Sequence, residues 1–257
     1  MANMEIQICS FAKDFEWCKY ALRSIAKYAK GFGGVTLVVP EADLGLFQGA
    51  WEGVQPPCPV RYVSYVPRPD KLKLHYLIQQ CSADKMCPSA DLILHMDSDC
   101  VFTEPVTPED YMVNGRPVLL RERWERIHMY CPARCKWKPL VEKALRFKTE
   151  YETMVRHPSV HWKWLYPNVR GHIAKWHGSF VGYVFAQSET PLGFTEYPTL
   201  GAYALKFHAD SYHWVDAKSP HGSYDMCKAP GVKEKMKQFW SHAGVDKHKE
   251  ELEKIVS

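Results

Sequence analysis

Asp97 and Asp99 stand two residues apart where the apolar run Leu92-Ile93-Leu94-His95-Met96 gives out. Side chains alternate along a strand, so positions i and i+2 share one face or edge. Two hard oxygen donors at the exit of a buried strand suit Mg²⁺ or Mn²⁺, and such an ion suits a diphosphate. The plain alternative is a pair of turn or cap residues. Other metal and nucleophile arrangements are weaker. His128, Cys131 and Cys135 lie close together and His157 and His161 are four apart, but structural zinc sites show tighter pairs such as Cys-x-x-Cys. Cys100 follows Asp99 directly, and neighbouring carboxylates raise a thiol's pKa and leave it a poor nucleophile.

A carboxylate pair acts only if elements position it. Glu5 to Phe11 reads as a first strand and Asp14 to Tyr28 as a helix. In that helix Asp14 stands as N-cap, Trp17, Ala21, Leu22 and Ile25 recur at helical spacing, and Gly31, Gly33 and Gly34 follow. Val35 to Val39 is a near-continuous apolar strand stopped by Pro40, with a short helix around Asp43 to Phe47. Val60 to Val66 is a third strand, Lys71 to Cys81 a helix, and the run into Asp97 a fourth strand. Alternating strands and helices predict a mostly parallel α/β sheet flanked by helices. The carboxyl ends of such strands collect ligands, which would gather Ser10–Phe11, Pro40 and Asp97–Asp99 on one edge.

The second half is less regular. It predicts a strand at Pro117 to Leu120, a helix over Lys138 to Val155, and a loop over His157 to His177. A strand at Ser179 to Ala186, a helix over Thr195 to Phe207 and a strand at Tyr212 to Val215 follow. Two amphipathic helices, Val232 to Trp240 and Lys247 to Ile255, close the pattern. With no repeat or linker, the economical organisation is one domain. Residues 1–105 form a nucleotide-binding half and residues 106–257 an acceptor half.

The 257 residues suffice for a substantial core, and 46% hydrophobic with 24% charged residues is ordinary globular composition. No apolar run approaches the roughly 18–20 residues of a membrane span. The opening MANMEIQICSFAKDFEW lacks a basic region followed by an apolar one, and the nine cysteines show no framework spacing. Together these read as reduced thiols in a cytoplasmic protein. The net charge of +4 is compatible with an anionic partner. Residues 116–176 interleave Arg and Lys with Trp and His, either as a solvated face over packed aromatics or as a groove for a polyanion or sugar.

Three stretches carry a family resemblance: ICSFAKDFEWCKYALRSIAKY, Asp97-Ser98-Asp99 followed by Val101-Phe102, and Phe194-Thr195-Glu196-Tyr197 followed by Gly201 and Tyr203. In order and spacing the chain resembles GT-A glycosyltransferases, in particular little-studied bacterial and phage GT-A-like members. That resemblance implies a Rossmann-like donor half, a nucleotide-diphosphate sugar as donor (a UDP-sugar such as UDP-glucose), and Mn²⁺ or Mg²⁺. Ser10, Phe11 and Lys13 would meet the base and ribose. Asp97 would touch the ribose or a metal-bound water, Asp99 would bind the ion, and Gln80, like Gln79 and Lys85, would reach the donor. His242 in Phe239-Trp240-Ser241-His242 would complete the metal site, with His221 competing for that role. Glu196 lies where such enzymes place an acceptor-side carboxylate.

Glycosyl transfer builds negative charge on a leaving diphosphate, which a divalent ion stabilises as a Lewis acid. An inverting enzyme also needs a carboxylate base at the acceptor hydroxyl, a role open to Glu196 at a helix start. Glu196 could equally be a first-turn carboxylate favoured by the helix dipole. The Glu-Asp pair of well-studied inverting members is missing here. For the acceptor, the basic and aromatic segment 116–176 allows DNA, and some phage enzymes glycosylate hydroxymethylated pyrimidines. A glycan or small-molecule acceptor and a non-catalytic nucleic-acid-binding protein are the alternatives. A nucleotidyltransferase fits less well, because Ser10-Phe11-Ala12-Lys13-Asp14 replaces the Gly-rich basic loop expected after the first strand.

Overall fold

The structure is a computed structural model that describes residues 2–66, 81–154, 159–187, 193–217, 235–239, 241 and 244–257. In chain order its elements begin β1 (Met4–Cys9), α1 (Phe15–Tyr28), β2 (Gly34–Pro40), α2 (Leu44–Gln48), β3 (Val60–Tyr65), α3 (Ala83–Met86), β4 (Leu92–His95) and β5 (Cys100–Phe102). Then come β6 (Met112–Val113), β7 (Arg116–Arg123), α4 (Trp124–Tyr130), α5 (Trp137–Leu145), β8 (Tyr151–Glu152), β9 (Ser159–Trp162), α6 (Leu165–His177), α7 (Phe180–Gln187) and α8 (Glu196–Phe207). β10 (His213–Asp216), β11 (Met236–Gln238) and α9 (Lys249–Val256) close the chain. This is a mixed α/β chain with a mostly parallel sheet, divided into two compact units. The first holds Met1–Pro67, Lys85–Tyr111 and Lys233–Ser257; the second holds Arg68–Asp84 and Met112–Val232. The C-terminal residues thus belong with the amino-terminal strands.

In the first unit β3, β2, β1 and β4 lie side by side, all parallel. Their apolar runs are buried on both faces: Ile6, Ile8, Leu37, Val38, Ile93 and Leu94 have no exposed surface. α1 buries Trp17, Ala21, Leu22 and Ile25. Gly31, at φ +76°, lets the chain turn back toward β2. Asp14 occupies the N-cap position of α1, but its side chain makes no capping bond. Asp43, just beyond β2, instead accepts the Ala12 N–H at 2.7 Å and ties the β1 and β2 exits together.

The C-terminal segment is part of this unit's core. β11 pairs antiparallel with β5, Gln238 opposite Cys100. Trp17, Tyr20, Phe239, Leu252 and Val256 form one buried cluster. Arg23 and Tyr20 both bond Glu253, Tyr20 at 2.7 Å, and Tyr28 donates to the Ile255 carbonyl. Of the helix expected over Val232 to Trp240, residues 235–239 are described and hold a strand at Met236–Gln238, because a ladder partner overrides the local pattern of charges.

The second unit pairs β10 parallel to β7, with β6 and β8 antiparallel to it. Three further expectations fail here. The loop expected over His157 to His177 holds β9 and α6, and α6 tolerates Pro167 because it falls in the first turn. The strand expected at Ser179 to Ala186 is helix α7, started by the Ser179 hydroxyl accepting the Gly182 N–H at 2.8 Å. The helix expected to run from Lys138 to Val155 ends at Leu145, where Arg146 takes a left-handed conformation at φ +59°. Among the described residues no helix is long and apolar enough to cross a membrane.

Candidate functional site

The parallel register puts the exits of β1, β2 and β4 on one edge. Gln7 lies opposite His95, and the Met96 N–H donates to the Gln7 carbonyl at 3.0 Å as the chain leaves β4. Likewise the Ser10 N–H donates to the Val38 carbonyl at 3.0 Å as the chain leaves β1. Ser10 is 3% exposed and lies against the Cys18 thiol, which burial pushes up to about 12. Its side chain faces the core, whereas Phe11 and Lys13, on the turn that follows, are exposed.

Asp97 is half-buried and Asp99 is 7% exposed. Asp99 Oδ2 accepts the Ser241 backbone N–H at 2.8 Å, and Oδ1 lies 3.3 Å from the Gln238 amide nitrogen. The Phe239 N–H donates to the Asp99 carbonyl at 3.0 Å. Asp99 thus anchors the returning C-terminal strand with both side chain and backbone. Ser241 directly precedes His242, but His242 itself lies outside the described residues, as do His221, Gln79, Gln80 and the helix expected through Lys71. The Cys100 thiol is fully buried and raised well above its ordinary value, first by burial and then by Asp97 and Asp99. That makes it a packing residue.

Would a divalent ion fit? A carboxylate offers about four lone-pair positions. On Asp99 the Gln238 amide and the Cys100 thiol meet Oδ1 and the Ser241 N–H meets Oδ2, and two hard-oxygen side chains at one strand exit are the donor chemistry of an ion that keeps several waters. Among the described residues no three His, Cys, Asp or Glu side chains gather as a metal cluster. This holds for His128, Cys131 and Cys135 as well, while His157 lies outside the described residues.

Glu196 belongs to the second unit. It is the first residue of α8, 8% exposed, and its charge helps hold the buried Cys81 thiol well above the ordinary range, after burial itself. Beside the same thiol Arg170 forms a two-pronged pair with Asp84, at 2.6 and 2.9 Å, and donates to the Cys81 carbonyl at 2.7 Å. The Glu196-Tyr197…Gly201…Tyr203 pattern has a packing component: a methyl group at Gly201 would overlap the Thr153 hydroxyl.

The arginines between residues 121 and 134 of the basic stretch are paired where they stand. Arg121 pairs with Asp216 at 2.8 Å, Arg123 with Glu150 at 3.6 Å, Arg126 with Glu122 at 3.6 Å and Arg134 with Glu152 at 3.8 Å. Arg121 and Arg123 also sit over the Tyr151 ring, at 4.6 and 5.3 Å from its centroid. In His161, 1% exposed between Tyr166 and Tyr212, burial lowers the ring's pKa to about 3, so it is a neutral core histidine.

No protein-family model and no curated protein sequence matches the chain.

Proposed function

We propose that the protein is a metal-dependent glycosyltransferase of GT-A type. It moves a sugar from a nucleotide-diphosphate sugar, a UDP-sugar, to an acceptor hydroxyl. The observation that carries the reading is the edge built around Asp97 and Asp99. Two carboxylates leave β4 next to the exposed Phe11–Lys13 turn of β1, and the chain returns from far downstream to place Ser241, the neighbour of His242, on Asp99.

In this reading Asp97, Asp99 and His242 would hold Mn²⁺ or Mg²⁺, which would supply Lewis-acid stabilisation to a leaving diphosphate. Lys13 adds positive charge beside it, and Phe11 offers a ring face to the base. Asp99 also sets the position of the C-terminal strand, so donor binding and the packing of that strand share one carboxylate. Glu196 acts at the acceptor hydroxyl as general base, its burial and helix-start position being compatible with that role. The acceptor in this reading is DNA bearing hydroxymethylated pyrimidines.

Hydrolysis or transfer from UDP-glucose and other nucleotide sugars, followed with Mn²⁺, with Mg²⁺ and with chelator, tests the activity. Metal-dependent release of UDP is the expected result. Full activity in folded Asp99→Ala would remove the metal assignment.

A further inference from the structure

We infer that the second unit carries a docking strip for single-stranded nucleic acid, built from an aromatic row that joins the residue before α6, the end of α8 and the turn after α5, and from two cations beside it. This rests on the proposed acceptor class and moves its docking surface away from the arginines of 121–134. Those cations already face carboxylates and sit in local pairs.

The row runs Trp164, His208, Tyr203, Phe207, Phe147. Consecutive ring centroids lie 4.8, 5.7, 4.8 and 5.7 Å apart. Trp164 at one end is 37% exposed, and near the other end Phe207 is 47% exposed beside the half-buried Phe147. Large rings on solvent cost free energy unless something covers them, and a nucleobase does so with a π-face of its own.

The charges beside the row select the occupant. Lys206 precedes Phe207 and Arg146 precedes Phe147, both are exposed, and neither makes an ion pair among the described residues. Cations next in the chain to exposed rings suit a partner that carries both phosphate and base, and they would add nothing for a neutral sugar chain.

Arg146 is also held where a side chain is disfavoured. It takes the left-handed conformation, φ +59°, at the end of α5, where glycine is the usual residue. Two histidines of α6 pin that helix end: His172 Nε2 lies 2.8 Å from the Leu145 carbonyl and His177 Nε2 lies 3.1 Å from the Ala144 carbonyl. The turn that presents Arg146 and Phe147 is thus built rigidly, with a strained arginine where glycine would be easier. Strain of this kind persists where the surroundings enforce it, and it clusters at ligand clamps.

The test is fluorescence anisotropy of a labelled single-stranded DNA 12-mer at low salt, run against its duplex and against a neutral oligosaccharide as competitors. Wild type should bind the single strand, and neither competitor should displace it at equal concentration. Phe207→Ala should weaken binding about tenfold or more, the scale of one lost base stack. Arg146→Gly relieves the backbone, so it should fold at least as well as wild type, yet it should lower the salt slope by about 0.7, the value for one phosphate contact on a single strand. No binding at low salt, unchanged affinity in both variants, or preference for the duplex or the sugar would each overturn the inference. A UDP-plus-Mn²⁺ thermal shift on the same samples separates the two readings. A shift without single-strand binding sinks the strip alone, and binding without a shift sinks the glycosyltransferase reading alone.

Discussion

The exit edge of the parallel sheet and the surface of the second unit treat charge in opposite ways. At the edge, neutral donors reach the carboxylates: the Ala12 N–H reaches Asp43, and the Ser241 N–H and the Gln238 amide are among the partners of Asp99. Bonds of this kind fix a carboxylate without cancelling its charge, which is what a site for a cation needs. In the second unit Glu122, Glu150, Glu152, Asp84 and Asp216 face arginines instead. Those pairs orient side chains but leave little field for a partner. An abundance of arginine in sequence is therefore a poor guide to a binding surface, and two exposed cations beside open rings are a better one.

The contrast can be broken at several points, the largest effect first. Trp17→Ala empties the cluster that holds the C-terminal segment on the first unit, where Trp17 packs 6.1 Å from Phe239 and 5.9 Å from His248. We expect a loss of about 3–5 kcal/mol in urea unfolding, the usual cost of truncating a buried aromatic. Limited proteolysis should then cut first near residue 235.

Next, Asp84→Ala strands the Arg170 cation, whose side chain is only 16% exposed, in the second unit. A cost of about 3 kcal/mol is expected, because the charge left behind is poorly solvated. A change under about 1 kcal/mol would show that solvent reaches the pair freely.

Acidification separates the units by another route. Unfolded His161 takes up a proton near pH 6.5, but the folded ring does so only near 3. Between those values the unfolded chain binds more protons, so stability falls as pH falls, by about 2 kcal/mol at pH 5. Glu253 in the first unit has its pKa lowered by Arg23 and Tyr20, so its contribution is present above the ordinary glutamate value and is lost only in stronger acid. Hydrogen exchange at pH 5 should show the second unit opening while the α9 contacts hold. Equal loss in both units would contradict this.

The smallest effect belongs to the surface. Arg123 and Glu150 are 54% and 71% exposed, so Arg123→Ala should cost under about 1 kcal/mol by thermal denaturation. By the same logic it should leave single-strand binding unchanged, in contrast to Arg146→Gly.

Much of the first unit is legible in the sequence because buried parallel strands are continuous apolar runs: Val35 to Val39 and the run into Asp97 read directly. The second unit hides its elements. Ser179-Phe180-Val181-Gly182-Tyr183-Val184 alternates small and large residues like a strand, yet Phe180, Tyr183 and Val184 are the buried set, which is helical spacing. The readable signal was Gly178, at φ +81°, followed by Ser179: one helix stop and one helix start in adjacent residues. At the site, β11 pairs with the far earlier β5 and the bond from Ser241 to Asp99 spans 142 residues, and no local pattern announces contacts so distant. The burial of the Ser10 side chain was equally invisible, since a serine at a strand exit reads the same facing in or out.

The central claim is that the edge around Asp97 and Asp99 binds a nucleotide diphosphate through a divalent ion. Its most direct test is a thermal-shift titration of UDP in Mn²⁺ and in chelator, on wild type, Asp97→Asn and Asp99→Asn. The account predicts stabilisation of wild type only when UDP and Mn²⁺ are present together, about 2.7 kcal/mol at a hundredfold excess over Kd. It predicts loss of that shift in both variants once circular dichroism shows them folded. A wild type indifferent to UDP and Mn²⁺, or folded variants that keep the full shift, would contradict it.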